Sequence, residues 1–135
     1  MNMNETYPLP EQTEDSAPYW AALREHRLVF QQCAVCGRVR HYPRPLCDRC
    51  YNDEVIWRES TGRGQIESWT VAHHAFHPAF KDRTPYVLVT VAMSDGVRVL
   101  GPWHGAAEVL RLGLPVRVVF DEVTPALTVP AFELA

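Results

Sequence analysis

Cys33-Ala34-Val35-Cys36 and Cys47-Asp48-Arg49-Cys50 are two C-x-x-C knuckles with ten residues between them. That spacing lets four thiolates close one tetrahedral site around a metal ion. Each knuckle holds two sulfurs within reach of a metal about 2.3 Å away, and two knuckles on adjacent hairpins leave no position for water. Such a closed site staples a fold, whereas catalytic zinc keeps a position open. The expected cofactor is structural Zn2+ on Cys33, Cys36, Cys47 and Cys50. Iron of the rubredoxin type accepts the same four thiolates, and two disulfides are the competing use of four cysteines. The acidic, proline-containing start of the chain lacks a secretory signal pattern, which favours metal over disulfides and a cytoplasmic location.

Working outward from the knuckles, Leu28-Val29-Phe30-Gln31-Gln32 reads as a strand entering the first knuckle. Residues 39–42 read as its return after Gly37. Strand, knuckle, strand, knuckle is the zinc-ribbon pattern. Residues 33–63 carry six arginines against four acids. Arg38, Arg40, Arg44 and Arg49 can serve as counter-charges to the thiolates, or some of them can bind phosphates. Arg44 stands out because Pro43 and Pro45 fix the backbone on either side of it.

On the N-terminal side, residues 1–17 form a leader whose Glu5, Glu11, Glu14 and Asp15 meet no basic residue, the composition of a disordered, solvating tail. Ser16 is placed to cap a short helix, Pro18 suits its first turn, and Tyr19, Trp20 and Leu23 recur at helical spacing. A helix of about eight residues does not hold in water unaided. Its Tyr19/Trp20 face must dock, either on its own domain or on a partner subunit.

On the C-terminal side the period changes to two. Residues 65–73, 86–93, 97–100, 116–121 and 127–132 read as five strands, with Ser94-Asp95-Gly96 as a tight hairpin turn. Val87, Val89 and Val91 share one face of the second strand, and Val116, Val118 and Phe120 share one face of the fourth. Residues 106–111 read as a short helix ended by Gly113. Five strands with a helix between the third and fourth is the order of an oligonucleotide/oligosaccharide-binding (OB) barrel. The expected fold is mainly β: an N-terminal helix and zinc ribbon over residues 18–60, then an OB-fold barrel over 61–135.

Composition narrows the function. The 135 residues are 47% hydrophobic with a net charge of −3, enough for one core plus a metal-stapled module. No run approaches the roughly 18 apolar residues of a membrane span. Residues 64–135 hold five basic and seven acidic side chains, and Arg98 is the only cation on the second and third strands. A nucleic-acid barrel needs a basic groove with stacking aromatics there, so nucleic acid is a disfavoured partner. His73 and His74 alternate to opposite faces of a strand and do not converge with His77 on one ion. No nucleophile elbow or Ser/His/Asp set is readable, so no catalytic residue is expected. His104, after Gly101-Pro102-Trp103, is the best lone candidate for a polar contact to substrate.

Several motifs together carry a family resemblance: Tyr19-Trp20-x2-Leu23, the four cysteines, Pro43-Arg44, Trp57, Ser60-x-Gly62-x-Gly64, Ser68-x-Thr70-Val71, Pro78-x-Phe80, Pro85-Tyr86, Gly113-x-Pro115-Val116 and Pro130-x-Phe132. Over residues 18–133 the chain resembles the zinc-ribbon/OB-fold family long filed as a domain of unknown function. That resemblance implies a non-catalytic accessory subunit of a thiolase-fold enzyme, either a thiolase or acyltransferase or a lipid-transfer-protein-like steroid side-chain aldolase. It implies a hetero-oligomer with acyl-CoA as a shared ligand, and favours a thiolase or aldolase partner over a hydratase. The long connection 75–85 then carries the functional weight. Phe76, Phe80 and Trp103 are candidate contacts to an acyl chain, pantetheine arm or partner surface, and Lys81, Arg83 and Arg44 to CoA phosphates or partner. Packing anchors and solvated cations are the alternative reading. Tyr19 and Trp20 are the candidate partner-docking residues. One departure is Cys47-Asp48-Arg49-Cys50-Tyr51, where the family usually has Cys-Pro-x-Cys-Gly: Tyr51 makes a left-handed turn costlier than glycine would.

Overall fold

The computed structural model describes residues 8–75 and 77–135. Helix α1 (Ala17–Arg24) leads into β1 (Val29–Cys33), β2 (Val39–Arg40) and β3 (Val55–Glu59), which form an antiparallel sheet in the order β2-β1-β3. The second sheet contains β4 (Arg63–Ala72), β5 (Tyr86–Met93), β6 (Arg98–Pro102), β7 (Pro115–Thr124) and β8 (Leu127–Leu134), in the order β6-β5-β4-β7-β8. Its two edges meet: Trp103, just past β6, forms a parallel bridge with Phe132 of β8, and the His104 N–H donates to the Phe132 carbonyl at 2.7 Å. A five-stranded sheet closed in this way is the OB barrel expected from the sequence.

Alternation explains the barrel interior. Val89 and Val91 of β5 and Val116 of β7 are fully buried, and Val87, Val118 and Phe120 pack against the same core. The register of β4 shifts between Ile66 and Ser68, a bulge of the kind that bends a strand between two neighbours. Gly64 lies where β4 approaches β5 so closely that a Cβ would sit 2.6 Å from the Ala92 carbonyl oxygen.

Helix α1 packs against β8 and β1. Tyr19, Trp20 and Leu23 join Leu28 and Phe30 of the ribbon and Val116, Leu127 and Phe132 of the barrel in one continuous core. The aromatic stripe left open for a partner is thus covered by the chain itself, with Tyr19 2% and Trp20 8% exposed. Tyr19 and Trp20 are therefore corrected from exposed docking residues to core residues. The reason is local: Tyr19 makes edge contacts with Trp20 and Tyr42 and a tilted contact with His41, and these rings cover it.

Three local expectations change. Ser16 sits at the start of α1 without a side-chain cap; its Oγ accepts the Thr13 N–H at 2.9 Å and so closes the preceding turn. Residues 106–111 form no helix beyond one 3-10 turn at Ala107–Val109. Gly113 takes a left-handed φ of +81, and Pro115 disfavours helix at the residue before it, so the segment is anchored by buried Leu110 and Leu114 instead of along a helical face. Strand β3, including half-buried Trp57, completes the ribbon as a third strand that the knuckle pattern did not reveal.

Candidate metal centre and adjoining cleft

The two knuckles are built alike. The Gly37 N–H donates to the Cys33 carbonyl at 3.0 Å, and the Tyr51 N–H donates to the Cys47 carbonyl at 2.9 Å. Both residues after the knuckles adopt left-handed φ values, +80 for Gly37 and +63 for Tyr51. The turn expected to favour glycine therefore forms with tyrosine, whose ring lies exposed. Backbone amides aim at sulfur: the Cys36 N–H donates to Cys33 Sγ and the Arg49 N–H to Cys47 Sγ, each at 3.4 Å. Amides of Cys50 and Arg49 pull the Cys47 thiol down to about 6, and those of Cys36 and Val35 lower Cys33.

The four sulfurs lie within 4.8 Å of one another, with Cys33–Cys50 at 3.5 Å and Cys36–Cys47 at 3.6 Å. A tetrahedron with about 2.3 Å metal–sulfur bonds has edges of about 3.8 Å, so these residues fit a tetrathiolate ion. A disulfide needs sulfurs about 2.05 Å apart, and all four cysteines are free. Zn2+ held here would supply folding energy to a module whose strands are short, with no open position for chemistry.

Between α1, the ribbon and the barrel mouth lies a cleft of about 850 Å³, within the size range of small-molecule sites. Its walls are largely aromatic and aliphatic, including Tyr42, Phe80, Tyr86 and Trp103, and its polar groups include Arg83 and the His104–Asp121 pair. His104 Nε2 lies 2.8 Å from Asp121 Oδ2. The Trp103 indole N–H donates to the Ala106 carbonyl at 3.1 Å, which fixes the ring at the cleft wall. Phe80 packs against Tyr86, and the Arg83 guanidinium lies over the Phe80 ring, 5.9 Å from its centroid. Burial drives His41 down to about 4 and pushes the Tyr19 hydroxyl far up, so both are neutral at the cleft's inner wall.

Residues 20–55 match the family described as the rubredoxin-like zinc ribbon domain of ChsH2, and residues 57–121 match its C-terminal OB-fold domain. The solved structure titled "Ltp2-ChsH2(DUF35) aldolase" superposes with a TM-score of 0.85 at 37% identity, covering 93% of this chain and 98% of that one. The chain belongs to the ChsH2/DUF35 family. Among the relatives, the "Probable enoyl-CoA hydratase alpha subunit" of Thermomonospora curvata is 38% identical over 95% of this chain. The "3-oxo-4,17-pregnadiene-20-carboxyl-CoA hydratase alpha subunit" of Mycobacterium tuberculosis is 34% identical over 82% of it. The chain spans only 40% and 35% of the length of these two curated relatives.

Phe80, Arg83 and Trp103 line the cleft, joined by Tyr19 and Trp20 from behind. Lys81 is exposed and outside the cleft lining, and Arg44 lies at a separate cleft on the ribbon. Phe76 lies outside the described residues. The sequence reading missed His41, Tyr42, Tyr86 and Asp121 as cleft residues. Tyr42 carries a signal in hindsight, because an aromatic residue beside Pro43 is a frequent packing anchor. Asp121 carries none, being one of many acids. His77, by contrast, accepts the Ala79 N–H at Nδ1 and caps a 3-10 turn at Pro78–Phe80. Among the described residues, no helix is long and apolar enough to cross a membrane.

Proposed function

We propose that this chain is an accessory subunit that docks on a thiolase-fold enzyme and helps frame its acyl-CoA site, in a complex cleaving or forming carbon–carbon bonds next to a CoA thioester. The apolar cleft at the junction of helix, ribbon and barrel carries this reading. It is large enough for an acyl or pantetheine segment, and the His104–Asp121 pair sits at 2.8 Å in the wall. The relative named as an aldolase complex supports this class, and the two named as hydratase alpha subunits, one of them for a steroid-derived CoA thioester, support a subunit role beside a CoA-thioester enzyme.

In this division of labour the partner supplies the acid, base or nucleophile. This chain supplies an apolar wall that excludes water and orients the acyl group. Phe80 and Trp103 contact the apolar part, Arg83 meets an anionic or carbonyl group at the cleft edge, and zinc keeps the ribbon wall rigid. His104, oriented by Asp121, offers a hydrogen bond to a polar atom of the bound chain.

The test is affinity purification of the tagged full chain from its host, identification of co-purifying proteins by mass spectrometry, and assay of the recovered pair on CoA thioesters. A thiolase-fold protein in fixed ratio, with turnover that requires both chains, is the expected result. Recovery of RNA or DNA, or steady turnover by this chain alone, overturns the proposal.

A further inference from the structure

A second cleft, of about 350 Å³, separates ribbon strand β2 from the turn joining β5 to β6. Four guanidinium side chains, Arg38, Arg40, Arg44 and Arg98, line it together with a single carboxylate, Asp48. Two of the four are already engaged. Arg38 makes a two-pronged bond to Asp48, at 2.7 and 3.1 Å, and Arg98 Nε lies 2.8 Å from Glu67 Oε2.

Arg40 differs from the rest. It is 4% exposed, its Nη2 donates to the Arg44 carbonyl at 3.2 Å, and its Nε and Nη1 are buried with no hydrogen-bond partner among the described residues. A guanidinium does not escape this cost by losing its proton, and an uncompensated buried charge is strongly unfavourable. These two N–H groups call for an acceptor, and the guanidinium charge favours an anionic one. Arg44 stands exposed at the rim, its backbone held by Pro43 and Pro45 and by its N–H bond to Gln31 Oε1 at 2.9 Å.

We propose that this cleft binds a phosphoryl group, with Arg40 as its buried ligand and Arg44 and Arg98 closing over it. A carboxylate is satisfied by one planar fork, whereas a phosphoryl group presents three oxygens in different directions and takes arginines from several sides. His41 lines both this cleft and the apolar one. A ligand with an apolar arm and a phosphate end could therefore occupy both, an extension that rests on the acyl-CoA reading. The phosphoryl site itself does not.

The experiment is calorimetric titration of the zinc-loaded full chain with 3′,5′-ADP, inorganic phosphate and adenosine. The two phosphate-bearing probes are expected to bind and adenosine is not. Arg40→Met should abolish binding. Because that change also alters the ribbon interior, the Arg44→Ala, Arg98→Ala pair gives an independent test on exposed residues. It should weaken 3′,5′-ADP at least tenfold, while Arg111→Ala, exposed and outside the cleft, leaves affinity unchanged. Tighter binding of 3′,5′-ADP than of phosphate identifies a nucleotide as the source, and equal binding identifies the free anion; both support the site. Absence of binding by the unaltered chain, or equal affinity in the double variant, overturns it. Neither result depends on whether a thiolase-fold partner is recovered.

Discussion

The indole N–H of Trp20 donates to the Tyr42 hydroxyl at 2.9 Å, joining helix α1 to the ribbon across 22 residues of sequence. The bond ties α1 to the turn that leads into the second knuckle. Removing the donor with Trp20→Phe, or the hydroxyl with Tyr42→Phe, should cost about 1 kcal/mol each. The double change should cost less than the sum, which urea denaturation of the four proteins would measure. Additive losses would mean that the two groups do not couple. Trp20→Ala removes a core ring as well and should cost about 3–5 kcal/mol, with loss of zinc alongside, because the helix is part of the same core.

Chelation of the metal should unfold the ribbon before the barrel. Hydrogen exchange followed by mass spectrometry should show β1, β2 and β3 losing protection on removal of zinc while β5 and β7 retain most of theirs. The barrel strands are paired with one another through their own registers and do not depend on the thiolates. Unchanged protection in β1 would show that the hydrophobic contacts of Phe30 suffice to hold the ribbon.

Tyr51→Gly should stabilise the second knuckle. The residue holds a φ of +63 with its side chain 75% exposed, so glycine relieves left-handed strain of about 1 kcal/mol without loss of packing. Competition with a chromogenic chelator should show zinc held more tightly by the variant, and weaker retention would mean that the tyrosine ring protects the site.

His41 makes stability fall with acid. Burial lowers its folded-state value to about 4, whereas in the unfolded chain it titrates near the ordinary 6.5. The unfolded state therefore binds more protons between these limits. The contribution is complete above about pH 6.5 and declines as pH falls toward 4, by up to about 3 kcal/mol. Denaturation midpoints from pH 7.5 to 5 should slope less steeply in His41→Phe than in the unaltered chain, with zinc content monitored in both. Parallel slopes would remove His41 as the cause.

At the apolar cleft the two cations of the 75–85 connection should separate. Arg83 lines the cleft and Lys81 does not. In the assembled complex, Arg83→Ala should weaken acyl-CoA binding about fivefold to tenfold, roughly the worth of one partly exposed charge-assisted contact. Lys81→Ala should leave it unchanged. An equal loss in both would indicate long-range attraction in place of direct contact, and high salt would then abolish it.

Much of this was legible from residues close in sequence. The knuckle spacing named the metal ligands because a C-x-x-C turn is closed by its own backbone. Alternation at Val87, Val89 and Val91 and at Val116, Val118 and Phe120 placed the barrel strands because side chains on a strand change face at every residue. The 106–111 segment was misjudged because its alanines and Glu108 satisfy a helical pattern, while the positive φ at Gly113 and the proline beyond it end the turn early. Tyr19 and Trp20 were visible as a docking face, but what they dock on was not.

The sequence alone determined the four thiolate ligands, the succession of the five barrel strands and the place of the β5–β6 turn, since each is set by covalent spacing and period over about ten residues. Only the tertiary structure decided that His41 and Tyr42 cover the helix, that His104 meets Asp121, and that Arg40 is buried with unmet donors between ribbon and barrel. Those relationships depend on how the ribbon and α1 seat against a barrel closed between β6 and β8. Closure of that kind joins groups far apart in the chain through packing, which no local pattern encodes.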